Sequence, residues 1–237
     1  MSKPIVISLG EILWDMLPTG KRAGGAPVNF AYHASQNGAE SFAISAVGND
    51  ELGNELLADA HKAGINTLVQ TNEYPTGTVD VALTNGIPEY TIVENVAWDH
   101  IKLTDELIEA VSKADAVCFG LRSPESHDTI VELLKHTKEG ALKFFDINLR
   151  ANFYSNELIE ELLSYANIFK INDEELIMMR DMFSIPACND EEACKWFIDR
   201  FNLEYIILTG GATFSTITTK DGEISTLRTP HVEVADT

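Results

Sequence analysis

The sequence predicts a three-layer α/β/α protein, with helices on both faces of a mostly parallel central sheet and a small antiparallel β lid beside it. Three observations carry this. The runs "IVISL", "FAISAV", "DAVCFG", "LKFFDI", "NIFKI" and "YIILTG" are continuously apolar and β-rich, as strands buried on both faces are. Amphipathic stretches such as "NELLADAHKAG", "HDTIVELLKHTKEG" and "NELIEELLSYA" lie between them, so strand and helix alternate. The rhythm breaks at "TGTVDVALTNGIPEYTIVE", where two half-buried alternating runs flank Asn85-Gly86, a strong hairpin signal.

Taken in order, "PIVISLG" is too short for a signal peptide or a membrane span, and Glu11 and Asp15 follow at once, so it reads as a buried first strand. "EILWDMLPTGKRAGG" reads as extended chain and turn. Pro27 is placed for the first turn of a helix ending near Gly38. Two later helices close on Gly64 and Gly140. A second hairpin centres on Asp221-Gly222. The alternation in "VEVADT" suggests a strand leading into the molecule. No repeat, low-complexity tract or long linker divides the chain. Residues 1–237 therefore read as a single domain, with a lid from about 11–23 and 77–97.

With 17 Lys and Arg against 37 Asp and Glu, the net charge is −20. Such a surface repels phosphate backbones and anionic lipid, which excludes nucleic acid and membranes as natural partners. An anionic ligand would need local cations or a metal to counter the field. Cys118, Cys188 and Cys194 are odd in number and lack C-x-x-C spacing, which suits a reducing compartment such as the cytoplasm. The histidines show no pair at metal-ligand spacing.

Five stretches could carry chemistry. In "RAGGAPVNFAYHASQNG", Gly24 and Gly25 permit close backbone approach at a helix N-terminus, and Asn29 adds an amide suited to hydroxyls. A tight turn with a helix cap explains the glycines equally well. Asp15 follows the first strand, where α/β folds place ligand loops, and could grip sugar hydroxyls; a lone loop aspartate is more often solvated. "FFDINLR" puts Asp146, Asn148 and Arg150 just beyond a strand, where alternation would point all three to one side toward a phosphate. In "FKINDEEL", Asn172 and Glu175 could share a hydrated Mg²⁺, while an N-cap with acids on the helix dipole accounts for Asp173 and Glu174. "LTGGATF" offers Thr209 and Gly211 at a late strand end, as a ligand loop or as a turn. All these positions fall at the C-terminal ends of successive strands, where one crevice would collect them.

Together the stretches resemble the ribokinase-like (PfkB) family of sugar kinases. "GEILWD", "AGGAPVNFAYHASQNGA" and "AVGNDELGNELL" are similar to its N-terminal signature, with wording nearest to fructokinases, and "DINLR", "KINDEEL" and "VEVADT" match later segments in order. The resemblance implies transfer of the γ-phosphate of ATP to a sugar hydroxyl, with fructose as the expected sugar. It implies that Asp15, Gly24, Gly25 and Asn29 hold the sugar. Asn148, Arg150, Thr209 and Gly211 would face phosphate or nucleotide, and Asn172 and Glu175 would organise Mg²⁺. It further implies a monovalent cation such as K⁺ near Asp236, and a homodimer paired through exposed edges in residues 77–94. In the family, "D-T" opens a D-T-x-G-A-G-D segment that supplies the anion hole and the catalytic base. That base is therefore expected beyond Thr237, with the domain C-terminally incomplete. Phe214 stands where the family usually has glycine in the nucleotide loop. The alternative expectation is a catalytically inactive, truncated sugar-binding protein.

Overall fold

The computed structural model describes residues 2–84, 87–121, 124–149, 154–186 and 188–231. The Asn85-Gly86 turn, Arg150, Asp236 and Thr237 lie outside the described residues. Where the sequence reads as one domain, the chain divides into two compact units, Met1–Leu142 and Lys143–Thr237. No linker composition marks the division, because it falls inside a strand.

The first unit runs β1 (Ile5–Leu9), β2 (Leu13–Leu17), β3 (Gly20–Gly24), α1 (Ala26–Gln36), β4 (Glu40–Gly48), α2 (Glu51–Lys62), β5 (Asn66–Asn72), β6 (Thr78–Thr84) and β7 (Ile87–Ile92). A 3-10 turn (Ala97–His100), α3 (Asp105–Lys113), β8 (Ala116–Gly120) and α4 (Pro124–Lys135) complete it. Its main strands stand in the order β5-β4-β1-β8, all parallel. Burial explains their composition: Ile7, Leu9, Ile44 and Val117 are each at most 1% exposed. Pro27, Val28 and Ala31 form the buried face of α1, and Val28 and Ala31 join Ile12, Trp14, Ala43, Val47, Leu56 and Ile65 in one apolar cluster. Burial of this kind stabilises by about 25 cal/mol per Å² of apolar surface removed from water.

The lid of the sequence reading is a second sheet, ordered β3-β2-β6-β7. It consists of two antiparallel hairpins, β2–β3 and β6–β7, joined by a parallel β2–β6 pair. Thr84 pairs with Ile87, so only two residues separate the strands, as Asn85-Gly86 predicts.

The second unit contains β9 (Leu142–Asp146), α5 (Asn156–Tyr165), β10 (Ile168–Asn172), α6 (Asp173–Met182), α7 (Asp190–Phe201), β11 (Tyr205–Thr209), β12 (Phe214–Thr219) and β13 (Ile224–Arg228). β9, β10 and β11 are parallel, while β12 and β13 add an antiparallel hairpin turning at Asp221-Gly222. Phe145 stacks on Phe169 at a centroid distance of 5.6 Å, and Phe197 packs against Phe169 at 5.3 Å with its ring tilted by 59°. Ile206, Leu208 and Thr218 are buried on one face of the hairpin end of this sheet. The alternate residues are exposed: Tyr205 at 38%, Ile217 at 42% and Leu227 at 73%.

Helix starts follow the cap chemistry of the sequence. Asp50, Thr104, Ser155, Asn172 and Asn189 each accept a backbone N–H from the first turn of α2, α3, α5, α6 and α7. Among the described residues no helix is long and apolar enough to cross a membrane.

Candidate functional site

The predicted residues fall into two sets, one in each unit. In the first unit Asp15 lies within β2, not in a loop after β1. Strand alternation sends its neighbour Trp14 into the core, 2% exposed, where the indole N–H donates to the Leu52 carbonyl at 2.9 Å. The indole so anchors the strand and leaves Asp15, half-buried, on the other face. Burial raises the Asp15 carboxyl above its ordinary value. Among the described residues no side chain forms a hydrogen bond or ion pair with it.

Asp15 also explains Gly24. The two residues sit across the β2–β3 hairpin, and any Cβ at Gly24 would collide with the Asp15 carboxylate. Gly25 then turns the chain into α1 with φ of 113°, a conformation L side chains rarely adopt, and a Cβ there would strike the Glu11 backbone. Since glycine has no side chain to cap the helix, Glu11 supplies the acceptor: Ala26 N donates to its Oε1 at 3.1 Å. Asn29 is exposed in the first turn of α1, one turn from that N-terminus. Asp15, Gly24, Gly25 and Asn29 thus come together around one helix start. Glu11 and Trp14 were not among the sequence-predicted residues, because contacts of this range leave no periodic signal.

In the second unit the expected alternation of Asp146, Asn148 and Arg150 fails. Asn148 has φ of 37°, so the chain leaves extended geometry after β9 and period-2 reasoning stops there. Asp146 is paired with Lys170 on β10 at 3.0 Å. Arg150 lies outside the described residues.

Asn172 and Glu175 form a reciprocal capping box at the start of α6. Asn172 Oδ1 accepts from Glu175 N at 2.8 Å, and Asn172 N donates to Glu175 Oε2 at 2.9 Å. Leu149 N donates to Glu175 Oε1 at 2.9 Å, so the carboxylate also ties the turn after β9 to α6. Glu175 is 6% exposed and Glu174 is exposed. Direct metal ligation would draw these oxygens off three backbone donors. A hydrated Mg²⁺ reached through its waters leaves the box intact, and that donor set fits such an ion. Among the described residues no group of three or more His, Cys, Asp or Glu could hold a metal.

Thr209 ends β11, in register with Asn172 on β10 and Ser215 on β12. Gly211 follows in a turn with φ of 51°, and its carbonyl accepts from Thr229 Oγ1 at 3.0 Å. The Phe214 ring lies directly on Gly210, filling the space where a glycine at 214 would leave a gap. An apolar cavity of about 220 Å³ lies elsewhere, near the starts of β1 and β4, and is lined by Ile5, Ile7, Phe42, Leu68 and Ala110. None of the predicted site residues lines it.

Residues 16–237 match the family described as pfkB family carbohydrate kinase. The chain belongs to this family. Among relatives of this pfkB chain is an uncharacterized sugar kinase of Pyrococcus horikoshii, 30% identical over an alignment of 200 positions that covers 75% of this chain and 64% of that protein. The chain thus spans less than two thirds of that relative's length. An ATP-dependent 6-phosphofructokinase of Thermoanaerobacterium thermosaccharolyticum is 28% identical across 92% of this chain and 70% of its own. The Pyrococcus crystal structure superposes with a TM-score of 0.81 at 25% identity, over 98% of this chain and 79% of that one. A fructokinase of Xylella fastidiosa with bound ATP reaches 0.84 at 21% identity, over 99% and 77%. The fold is accordingly the three-layer α/β/α class with a mostly parallel central sheet and a small second sheet, as the sequence predicts.

Proposed function

We propose that the protein to which this chain belongs transfers the γ-phosphate of ATP to a sugar hydroxyl, with fructose as the sugar. The observation that carries the reading is the Asp15 carboxylate. It is held half-buried beside Gly24, Gly25 and the start of α1, its charge disfavoured by burial and unmatched by any described side chain. A carboxylate so placed gains by accepting two hydroxyl protons in hydrogen bonds, and Asn29 supplies a neutral partner. The names of relatives support the same direction, since they include sugar kinases, a phosphofructokinase and an ATP-bound fructokinase.

In phosphoryl transfer the protein's work is positioning and electrostatics. Asp15 and Asn29 would orient the acceptor hydroxyl, and the backbone at Gly24-Gly25 would let the sugar approach closely. Asn148, Arg150, Thr209 and Gly211 would face phosphate or nucleotide. Asn172 and Glu175 would hold Mg²⁺ through its waters, and the ion, when bound, offsets charge on the phosphate oxygens. A monovalent cation such as K⁺ at Asp236, pairing of two copies through the lid edges, and a cytoplasmic setting belong to the same proposal. The buried Cys194 thiol suits that setting, pushed up to about 12 by burial and then by Asp190 and Glu191. The general base implied by the family resemblance is not among these residues.

A second reading, a sugar-binding protein without kinase activity, is favoured by Phe214, whose ring covers the Gly210 backbone beside Thr209 and Gly211. Calorimetry with fructose and with MgATP, together with an ADP-release assay, separates the two. Fructose binding that Asp15→Ala abolishes, with MgATP binding, supports the kinase. Fructose binding without MgATP binding supports the second reading, and equal fructose affinity in wild type and Asp15→Ala refutes both.

A further inference from the structure

We infer that Asp50 is a positioning residue for the sugar side of the site, acting on Asp15 through Thr76 and Gly77; this rests on the proposed role of Asp15. Asp50 is the N-cap of α2, and a cap needs one acceptor for one backbone N–H. Asp50 does more. Its Oδ1 accepts from Gly53 N at 2.8 Å and from Thr76 Oγ1 at 2.6 Å, and its Oδ2 accepts from Thr76 N at 2.9 Å. Thr76 Oγ1 in turn accepts from Gly48 N at 3.0 Å. One buried hydroxyl, in a residue 3% exposed, therefore joins the end of β4, the start of α2 and the segment that leads into β6.

The next link reaches Asp15. Trp14 N donates to the Gly77 carbonyl at 3.0 Å, and the β2–β6 pair that begins there sets Trp14 opposite Thr78 and Asp15 opposite Val79. The parallel pair is short, covering Trp14, Asp15 and Met16. Its register is fixed at one end by the residue immediately after Thr76. The other wall of the clasp tolerates no side chain: a Cβ at Gly48 would lie 2.5 Å from Asp50 Oδ2, 2.6 Å from the Tyr74 carbonyl and 2.7 Å from Thr76 N. A helix cap alone would not need this third-party contact. Burial opposes the charge on Asp50, and the hydrogen bonds from Thr76 and Gly53 outweigh it, so the carboxyl stays below its ordinary value.

Asp50→Asn separates cap from clasp. Asparagine caps helices as well as aspartate, but its amide would present a donor to Thr76 N, which is also a donor. Thr76→Val removes the hydroxyl and keeps the shape, and Thr76→Ser keeps the hydroxyl. The measurements are amide hydrogen exchange across the chain, urea stability, and calorimetry with D-fructose. In Asp50→Asn and Thr76→Val, exchange at Trp14–Met16 and Gly77–Asp80 should rise about 10-fold or more, since local opening is governed by the bonds that hold the segment. Fructose affinity should fall roughly 10- to 100-fold, the scale of one lost charge-assisted hydrogen bond. Thr76→Ser should match wild type in both. A uniform rise in exchange through α2 and β4, with β2 and β6 unaffected, would show a cap and nothing more, overturning the inference. So would unchanged fructose affinity in Asp50→Asn alongside a clear loss in Asp15→Ala. If Asp15→Ala itself leaves affinity unchanged, the proposed function fails, and the exchange pattern still decides whether the clasp holds β2.

Discussion

Asp15 sits where its own charge is disfavoured, and that sets a trade between stability and binding. Its folded-state pKa is raised by burial, so the ionised form costs stability above the folded pKa, and the cost disappears as pH falls below the unfolded value. Asp15→Asn should therefore raise the melting temperature at pH 7, and the advantage should shrink as pH is lowered through the carboxylate range. Fructose affinity should move the other way, falling by about 1.5–3 kcal/mol when the hydrogen-bonding charge is lost. Thermal scans from pH 3 to 8 in wild type and variant, with and without fructose, check both halves. A variant less stable than wild type at pH 7 would mean that the carboxylate has a structural partner and is not held ready for a ligand. This residue was visible in the sequence only as an acid after a strand. What sets it apart in the structure is the Trp14 anchor behind it and the missing Cβ at Gly24, contacts that no local pattern announces.

At the start of α6 the capping box makes a sharper claim than composition could. "NDEE" shows three consecutive acids after an asparagine, and the structure separates them by burial: Glu175 receives Asn172 N and Leu149 N, while Glu174 is exposed. Glu175→Gln keeps one acceptor and turns an amide toward a backbone donor. It should cost about 1–3 kcal/mol of unfolding free energy, whereas Glu174→Gln should stay within about 0.5 kcal/mol. Urea titration in EDTA and in MgCl₂ tests this. A loss in Glu175→Gln that appears equally in EDTA belongs to the box, and an additional rise in the Mg²⁺ needed for half-maximal activity of the full protein belongs to the ion. Elements of this kind were readable wherever the signal was local. Continuous apolar runs marked β1, β4, β8, β9, β10 and β11, and Asn-Gly and Asp-Gly marked the two hairpins. β5, "NTLVQTN", carries too few apolar residues to stand out, yet it pairs with β4 over seven positions. The parallel β2–β6 pair was equally hidden, because two segments some sixty residues apart meet without a turn to signal it. Alternation misled at Asn148 for the opposite reason: a single left-handed residue cancels a period that the sequence still displays.

Across the whole molecule the dominant quantity is the net charge of −20, and it bears on the two proposed ligands differently. Like charges spread over a compact surface repel one another, and the field extends about 30 Å at 0.01 M salt but only about 8 Å at 0.15 M. Fructose is neutral and should approach at the same rate in both conditions. MgATP is an anion and must cross that field before any local cation can act on it. Association of MgATP should therefore accelerate as salt is raised from 0.01 to 0.15 M, while fructose association stays flat. Unfolding midpoints should rise over the same range, because self-repulsion is screened and the exposed ion pairs, such as Lys113–Glu109 and Lys195–Asp199, contribute little that screening could remove. Stopped-flow binding of each ligand at several salt concentrations, beside thermal scans in the same buffers, provides the test. If MgATP instead binds more slowly at higher salt, a local basic patch outweighs the global field. Cations in the second unit such as Lys170, held by Asp146 in the described residues, would then have to be released on nucleotide binding. If neither ligand responds to salt, the acidic surface is remote from the path of entry, and solubility alone accounts for it.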